Sequence, residues 1–338
     1  MQRSAHTARC VFLTLVAFAP PLTMAQQVAG MPLVCHALPN KGSAPTTIVV
    51  APDHHIWFTQ SGGNRIGVMQ RDGTGLREFA LPHEASAPRV MSLGIDGNLW
   101  FSEHMGNRIG RITPHGVLAE FPIPTPDSQP RAVALGADGN IWFGMFKGGK
   151  IGRITPDGRI TEFVIPTPDS GPRALAAGAD GNIWFSEYRG NKIGRITMDG
   201  RITEFAMPRA ASGPGDITAG ADRAMWFVEL VNADGLTTDG NRIGRITLDG
   251  RITEYAMPGK QGSPINLAVG PERNIWYTRG NALGRVTPGG NVTEYPLGND
   301  MRAVGITAGS DRQPPMRLTD RLWFADGAGD RLCYLQFR

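Results

Sequence analysis

The sequence predicts an all-β fold, a seven-bladed β-propeller with four-stranded blades, and three observations carry that prediction. The first is a repeat: the text running from Gly139 through Phe163 recurs almost word for word from Gly181 through Phe205. The second is its phase. A Trp followed by Phe or Tyr stands at Trp57, Trp100, Trp142, Trp184, Trp226, Trp276 and Trp323, at spacings of 43, 42, 42, 42, 50 and 47 residues, and these are all seven tryptophans of the chain. The third is the content of each repeat: four short runs rich in β-branched and aromatic residues, with no stretch of helical periodicity longer than a turn. A repeat of this length holding four strands, present in seven copies, is the signature of a propeller.

Within one repeat the elements follow in order. The first run begins at a Pro, as in Pro172-Arg-Ala-Leu-Ala-Ala177. The second carries Ile-Trp-Phe, the third Lys-Ile-Gly-Arg-Ile-Thr and the fourth Arg-Ile-Thr-Glu-Phe. Asp180-Gly181 separates the first run from the second, and Asp157-Gly158 the third from the fourth. Asp-Gly supplies the positive φ that tight hairpin turns require.

The two ends of the chain complete each other. The last repeat stops after three runs, and Leu33–Pro39 matches the fourth run of other repeats, such as Ile202–Pro208. The N-terminal strand is therefore expected to close the last blade and remove two exposed sheet edges. The same alignment sets Cys35 against Cys333, at the positions of the Glu in Thr-Glu-Phe and the Gly in Ile-Gly-Arg. A disulfide is expected between them.

Residues 1–25 read as a secretory signal peptide. Arg3 and Arg9 form a basic start, Cys10–Met24 is mostly apolar, and Thr23-Met24-Ala25 ends on a small residue, so the mature chain is expected to begin near Gln26 as a single propeller domain, 26–338. The apolar run is short and broken by Pro20-Pro21, so no membrane span is expected. Export to the periplasm or the medium suits a disulfide. The leader holds two of the 34 basic residues and none of the 30 acids, leaving a mature chain close to neutral, with no basic stripe to bind nucleic acid. A monomer is expected.

In a four-stranded blade the first strand lines the central channel. The residues entering it, and the loops joining strands two and three, gather on one face. The position after each Pro gives Thr46, Arg89, Arg131, Arg173, Gly215 and Ile265, with Arg302 as the counterpart in the last blade. The third position beyond each Trp gives Gln60, Glu103, Met145, Glu187, Glu229, Arg279 and Asp326. Insertions at Leu230–Gly240 and Arg312–Arg321 are expected over this face and the opposite one. Arg89, Arg131, Arg173 and Arg302 are candidate ligand-binding residues, because guanidinium forks match carboxylate or phosphate. The alternative is that these arginines pair with Glu103 and Glu187 and hold the ring together. Glu103, His104, Glu187 and Glu229 are the candidate catalytic groups, and Glu187, Glu229 and Asp326 the candidate metal ligands. His54-His55 falls in a turn on the far face. No phosphate loop, His-Glu-x-x-His or Cys-x-x-Cys is present.

The phrases Asp-Gly-Asn-Ile-Trp-Phe-Ser-Glu (180–187), Asn-Lys-Ile-Gly-Arg-Ile-Thr (191–197), Ile-Thr-Glu-Phe (202–205) and Ile-Pro-Thr-Pro-Asp-Ser-Gly-Pro (165–172) resemble the streptogramin B lyase family, also called virginiamycin B lyase, over about Pro32 to Arg338. The resemblance implies a seven-bladed propeller that opens a cyclic depsipeptide by elimination with Mg²⁺. It also implies a His after the Pro of blade six, where Ile265 stands, and Glu-Pro-His-Gly-Ile at blade seven, where Arg302-Ala-Val-Gly-Ile306 stands. A metal-holding Glu after the last Trp-Phe corresponds to Asp326, and a Tyr of blade one to Thr46. Elimination needs a base and a cation, which Ile265 and Val304 cannot supply. The expected function is therefore an exported propeller binding a small or anionic ligand at its channel face. Two alternatives remain: an enzyme with a rearranged site (a lyase, or a lactone hydrolase), or a protein-interaction propeller.

Overall fold

The computed structural model describes residues 23–230, 241–259, 262–308 and 321–337, and the side chains of 23–26 are not described. Most of the expected leader (residues 1–22) and most of both expected insertions (231–240 and 309–320) lie outside the described residues.

Seven antiparallel sheets form the seven blades. Blade four shows the pattern: Pro172–Ala177, Ile183–Glu187, Lys192–Ile196 and Ile202–Ala206 pair in sequence order. The Asp-Gly turns behave as their chemistry requires, with Gly158 at φ +94° and Gly181 at +76°. Asp180 has a second task, accepting the indole N–H of Trp184 at 3.1 Å, and Asp138 and Asp222 do the same for Trp142 and Trp226. The first strands neighbour one another around the channel, and the circle closes between Ala303–Thr307 and Pro45–Val50.

The core lies in the seams between blades. In seven clusters a Trp of one blade packs against the Phe or Tyr that follows Trp in the next: Trp57 with Phe101, Trp142 with Phe185, Trp226 with Tyr277, and, across the closure, Trp323 with Phe58. In blades two, three and four the Arg of Ile-Gly-Arg straps the seam from outside. Arg153 lies 5.4 Å from the Trp142 ring centroid and donates to the Met198 carbonyl one blade on, and Arg195 repeats this with Trp184 and Leu248. Such cation–π contacts contribute about 0.5–1 kcal/mol each at exposed sites. In blades one to six glycine fills the third-strand position beneath the Phe or Tyr, because a Cβ at Gly194 would fall 2.1 Å from the Phe185 ring; in blade seven Cys333 stands there.

Blade seven is assembled from both chain ends. Met31–Ala37 pairs with Arg331–Gln336, and Cys35 stands directly opposite Cys333 in a disulfide with Cα atoms 4.1 Å apart. The closure by the N-terminal strand thus stands, with one addition. Thr23–Val28 pairs outside Met31–Ala37 as a fifth strand, so this blade is five-stranded where four strands were expected. No helix among the described residues is long and apolar enough to cross a membrane.

The bridge spans 298 residues. By the chain-entropy treatment, replacing Cys35 and Cys333 by Ser should lower stability by about 5–6 kcal/mol. Urea unfolding of the double variant measures this, and an unchanged midpoint would show that strand pairing alone seals the ring.

Candidate functional site

Each regular first strand carries a β-bulge at the residues after its Pro. The register with the second strand shifts between Pro88 and Met91, Pro130 and Val133, and Pro172 and Leu175. Arg89, Arg131 and Arg173 sit in these bulges, which re-aim side chains. A hydroxyl from Trp-Phe-Ser/Thr stabilises the irregular backbone. Ser102 Oγ accepts from Val90 N at 3.3 Å and donates to the Arg131 carbonyl at 3.0 Å, one blade further on. Thr59 links Thr47 N to the Arg89 carbonyl in the same way. This interblade brace went unnoticed in the sequence, although its signal is the Ser or Thr two residues after the Trp.

The three arginines form one electrostatic group. Burial lowers the pKa of all three, and repulsion from Arg173 and Arg89 helps to push Arg131 down to about 9. They remain charged at neutral pH, but the direction records a concentration of like charge. Among the described residues no carboxylate forms an ion pair with any of them, so the expected pairing with Glu103 and Glu187 is not made. Two of them have aromatic neighbours. Arg131 and Arg189 lie 5.0 and 4.9 Å from the Phe146 centroid, and Arg173 lies 5.4 Å from that of Tyr188. His104 joins them: its Nδ1 lies 3.2 Å from the Pro130 carbonyl, and burial with the charges of Arg89 and Arg131 pushes its pKa down to about 4.

Asp216 is the one carboxylate that offsets Arg173. It takes Leu267 N at 2.8 Å and Asn266 Nδ2 at 3.2 Å, while Asn266 Oδ1 accepts from Gly305 N, joining blades five, six and seven. Burial is the largest influence on Asp216 and raises its pKa. Sequence reasoning took Gly215 in this blade and missed its neighbour.

Other candidates fall elsewhere. Glu103, Glu187 and Glu229 are completely buried and share a strand face with the interior Phe two residues before. Arg302 leaves the arc. Ala303, not Arg302, opens the last blade's first strand opposite Asp326, so Val304 takes the place that the arginines hold in other blades, the register shift falls between Val304 and Ile306, and Arg302 is exposed before the strand. Asp326 is consumed by structure: Arg331 pairs with it at 2.6 Å, and the backbone N–H groups of Arg302, Ala328 and Gly329 donate to it. His54 and His55 border a separate cavity of about 540 Å³ with Asp53, Asp72 and Arg321.

A seven-bladed ring with this repeat and a channel lined by bulge residues defines the class, and the comparisons define the family. The Virginiamycin B lyase family matches residues 31–235 and, overlapping, 168–337, and this chain belongs to it. It is 36% identical to a catalytically inactive His-to-Ala variant of virginiamycin B lyase from Staphylococcus aureus, solved with quinupristin, with a TM-score of 0.82 over 91% of this chain and 100% of that one. A streptogramin B lyase structure is 34% identical at the same TM-score, over 91% of this chain and 98% of that one. A hydrazine synthase from Kuenenia stuttgartiensis, 12% identical with a TM-score of 0.73 over 88% of this chain and 97% of that one, shares the fold alone. No curated protein sequence matches the chain.

The magnesium ion implied by the family does not fit these residues. Asp326 is fully engaged, and no group of three or more His, Cys, Asp or Glu among the described residues is arranged to hold a metal.

His104 should stay neutral down to about pH 4. An NMR titration checks this. Arg89→Ala should raise the midpoint, whereas an ordinary midpoint near 6.5 in the unmodified protein would show that the arginines do not face the ring.

Proposed function

We propose that this protein is an exported member of the virginiamycin B lyase family that binds an anionic small molecule at its channel face and does not catalyse the elimination. One observation carries the reading: three part-buried guanidinium groups, with no ion pair among the described residues and only Arg173 offset by a carboxylate, Asp216, converge on a channel that presents Ile265 and Val304 at the family's histidine positions. Unpaired buried charge is costly and calls for a counter-charge. A ligand with two or more anionic oxygens supplies it, with Phe146 and Tyr188 flanking its body.

The relative from Staphylococcus aureus supports the chemical half of the argument. A single His-to-Ala change accompanies a catalytically inactive enzyme, described together with quinupristin. In this chain neither Ile265 nor Val304 can move a proton, and His104, depressed in basicity, is a weak base. Export rests on the leader and on the Cys35–Cys333 disulfide, which persists in an oxidising compartment.

Two assays test the reading. Turnover of a streptogramin B should be absent, or at least about a hundredfold below that of an active relative, because loss of a general base alone typically costs 10²–10⁴. Calorimetric titration with citrate and pyrophosphate should show binding, weakened by about 1–3 kcal/mol for each of Arg89→Ala, Arg131→Ala and Arg173→Ala. Turnover at the active relative's rate, or affinity unchanged in the triple variant, would overturn it.

A further inference from the structure

The repeat contains its own control experiment. In each of the first six blades the last residue of strand two lies beside the middle Glu of strand four, and the identity of that residue varies. In blade one Gln60 Nε2 donates to Glu78 Oε1 at 2.8 Å. In blade six Arg279 Nη1 donates to Glu294 Oε1 at 2.6 Å. In these two blades the position supplies a donor to the facing acceptor, whereas blade three places Met145 there and leaves Glu162 to Lys150 and Thr125. In blades two, four and five it holds Glu103, Glu187 and Glu229, facing Glu120, Glu204 and Glu254 across Gly110, Gly194 and Gly244. All three are fully enclosed, and neither oxygen of any of them receives a hydrogen bond.

The groups around the glutamates offset their burial only in part, the nearby hydroxyls of Ser86 and Ser212 lowering the pKa values of Glu103 and Glu229 against the larger effect of burial. Glu103 meets Ser86, Glu120, Arg108 and His83; Glu187 meets Glu204 and Lys192; Glu229 meets Glu254, Ser212, Arg242 and Arg209. The hydroxyls of Ser86 and Ser212 are shared with the carbonyls of His83 and Arg209, so neither is a full donor to its glutamate. Lys192 is spent on Glu204, at 2.8 Å, so Glu204 is the ionised member of its pair.

We propose that Glu103, Glu187 and Glu229 are held as neutral carboxylic acids, donating where Gln60 and Arg279 donate, and that together they form a proton latch beneath the channel face that loosens as pH rises. Release sends each proton to solvent and leaves a buried carboxylate beside a part-buried one. The next residues are His104, Tyr188 and Leu230, which begin the loops on the ligand-binding side. The latch therefore regulates the proposed cup, but it operates without a ligand.

Burial is the main cause of the upward pKa shifts, to about 7 for Glu103, about 8 for Glu187 and about 7 for Glu229. An acid with a raised folded-state pKa contributes stability that is full below its ordinary value. That contribution is lost as pH rises through the folded value. His36 and His104, both lowered, give the opposite slope, but below their ordinary 6.5. The window from about pH 6.5 to 8 therefore isolates the glutamates.

Urea unfolding of the disulfide-intact protein at both ends of this window tests the latch. The unfolding constant of the unmodified protein should rise more than about tenfold, since each proton released only on unfolding contributes up to tenfold per pH unit. The triple variant Glu103→Gln, Glu187→Gln, Glu229→Gln should show no such rise, and Gln60 shows that the fold accepts Gln here. A flat profile in the unmodified protein, or an undiminished slope in the variant, overturns the proposal. Infrared spectroscopy of the unmodified protein gives a second reading: a protonated-carboxyl band at pH 6.5 that disappears above pH 8 supports the latch, and its absence at pH 6.5 overturns it. Neither measurement uses a ligand, so the latch can fail while the cup reading stands, and the reverse.

Discussion

The pairing of Met31–Ala37 with Arg331–Gln336 joins the two ends of the chain, and the channel depends on it. A propeller blade cannot bury its core alone, since each Trp finds its partner in the next blade. With the seam between Trp323 and Phe58 unformed, the ring would open at one side and the first strands would lose their circular order. In the other blades a hairpin turn holds strand three to strand four. Blade seven has no such turn, and the Cys35–Cys333 bridge stands in its place. The constraint reaches the site because the bulged first strands are braced blade to blade, by Thr59 onto Arg89 and by Ser102 onto Arg131.

On this scaffold the chemistry of the channel face is divided. Blades two to four contribute positive charge, with aromatic rings beside Arg131 and Arg173. Blades five to seven contribute the Asp216–Asn266–Gly305 network and the apolar pair Ile265 and Val304. Family membership accounts for the ring and the repeat. It does not decide the activity, because catalysis resides in the few side chains placed on the scaffold.

Much of this was legible in the sequence. The tryptophan phase counted the blades, the truncated last repeat located the missing strand, and alignment of the repeats paired the two cysteines. The arginine arc followed from one position recurring in three consecutive blades. Three readings went astray for identifiable reasons. Ala303 replaces the marker Pro in the last blade, so Arg302 was aligned too early. Glu103, Glu187 and Glu229 were placed on the cup by spacing from Trp, whereas alternation along a strand puts them on the same face as the buried Phe101, Phe185 and Phe227. Thr23–Val28 reads as the end of a leader and gave no separate strand signal.

The central claim is that the channel is an anion site rather than a metal-dependent lyase centre. Native mass spectrometry of the freshly purified, undialysed protein, with elemental analysis, tests it most directly. The account predicts one anionic small molecule per chain, retained by the unmodified protein and lost from the Arg89→Ala, Arg131→Ala, Arg173→Ala variant. A stoichiometric divalent cation with no accompanying anion would contradict it.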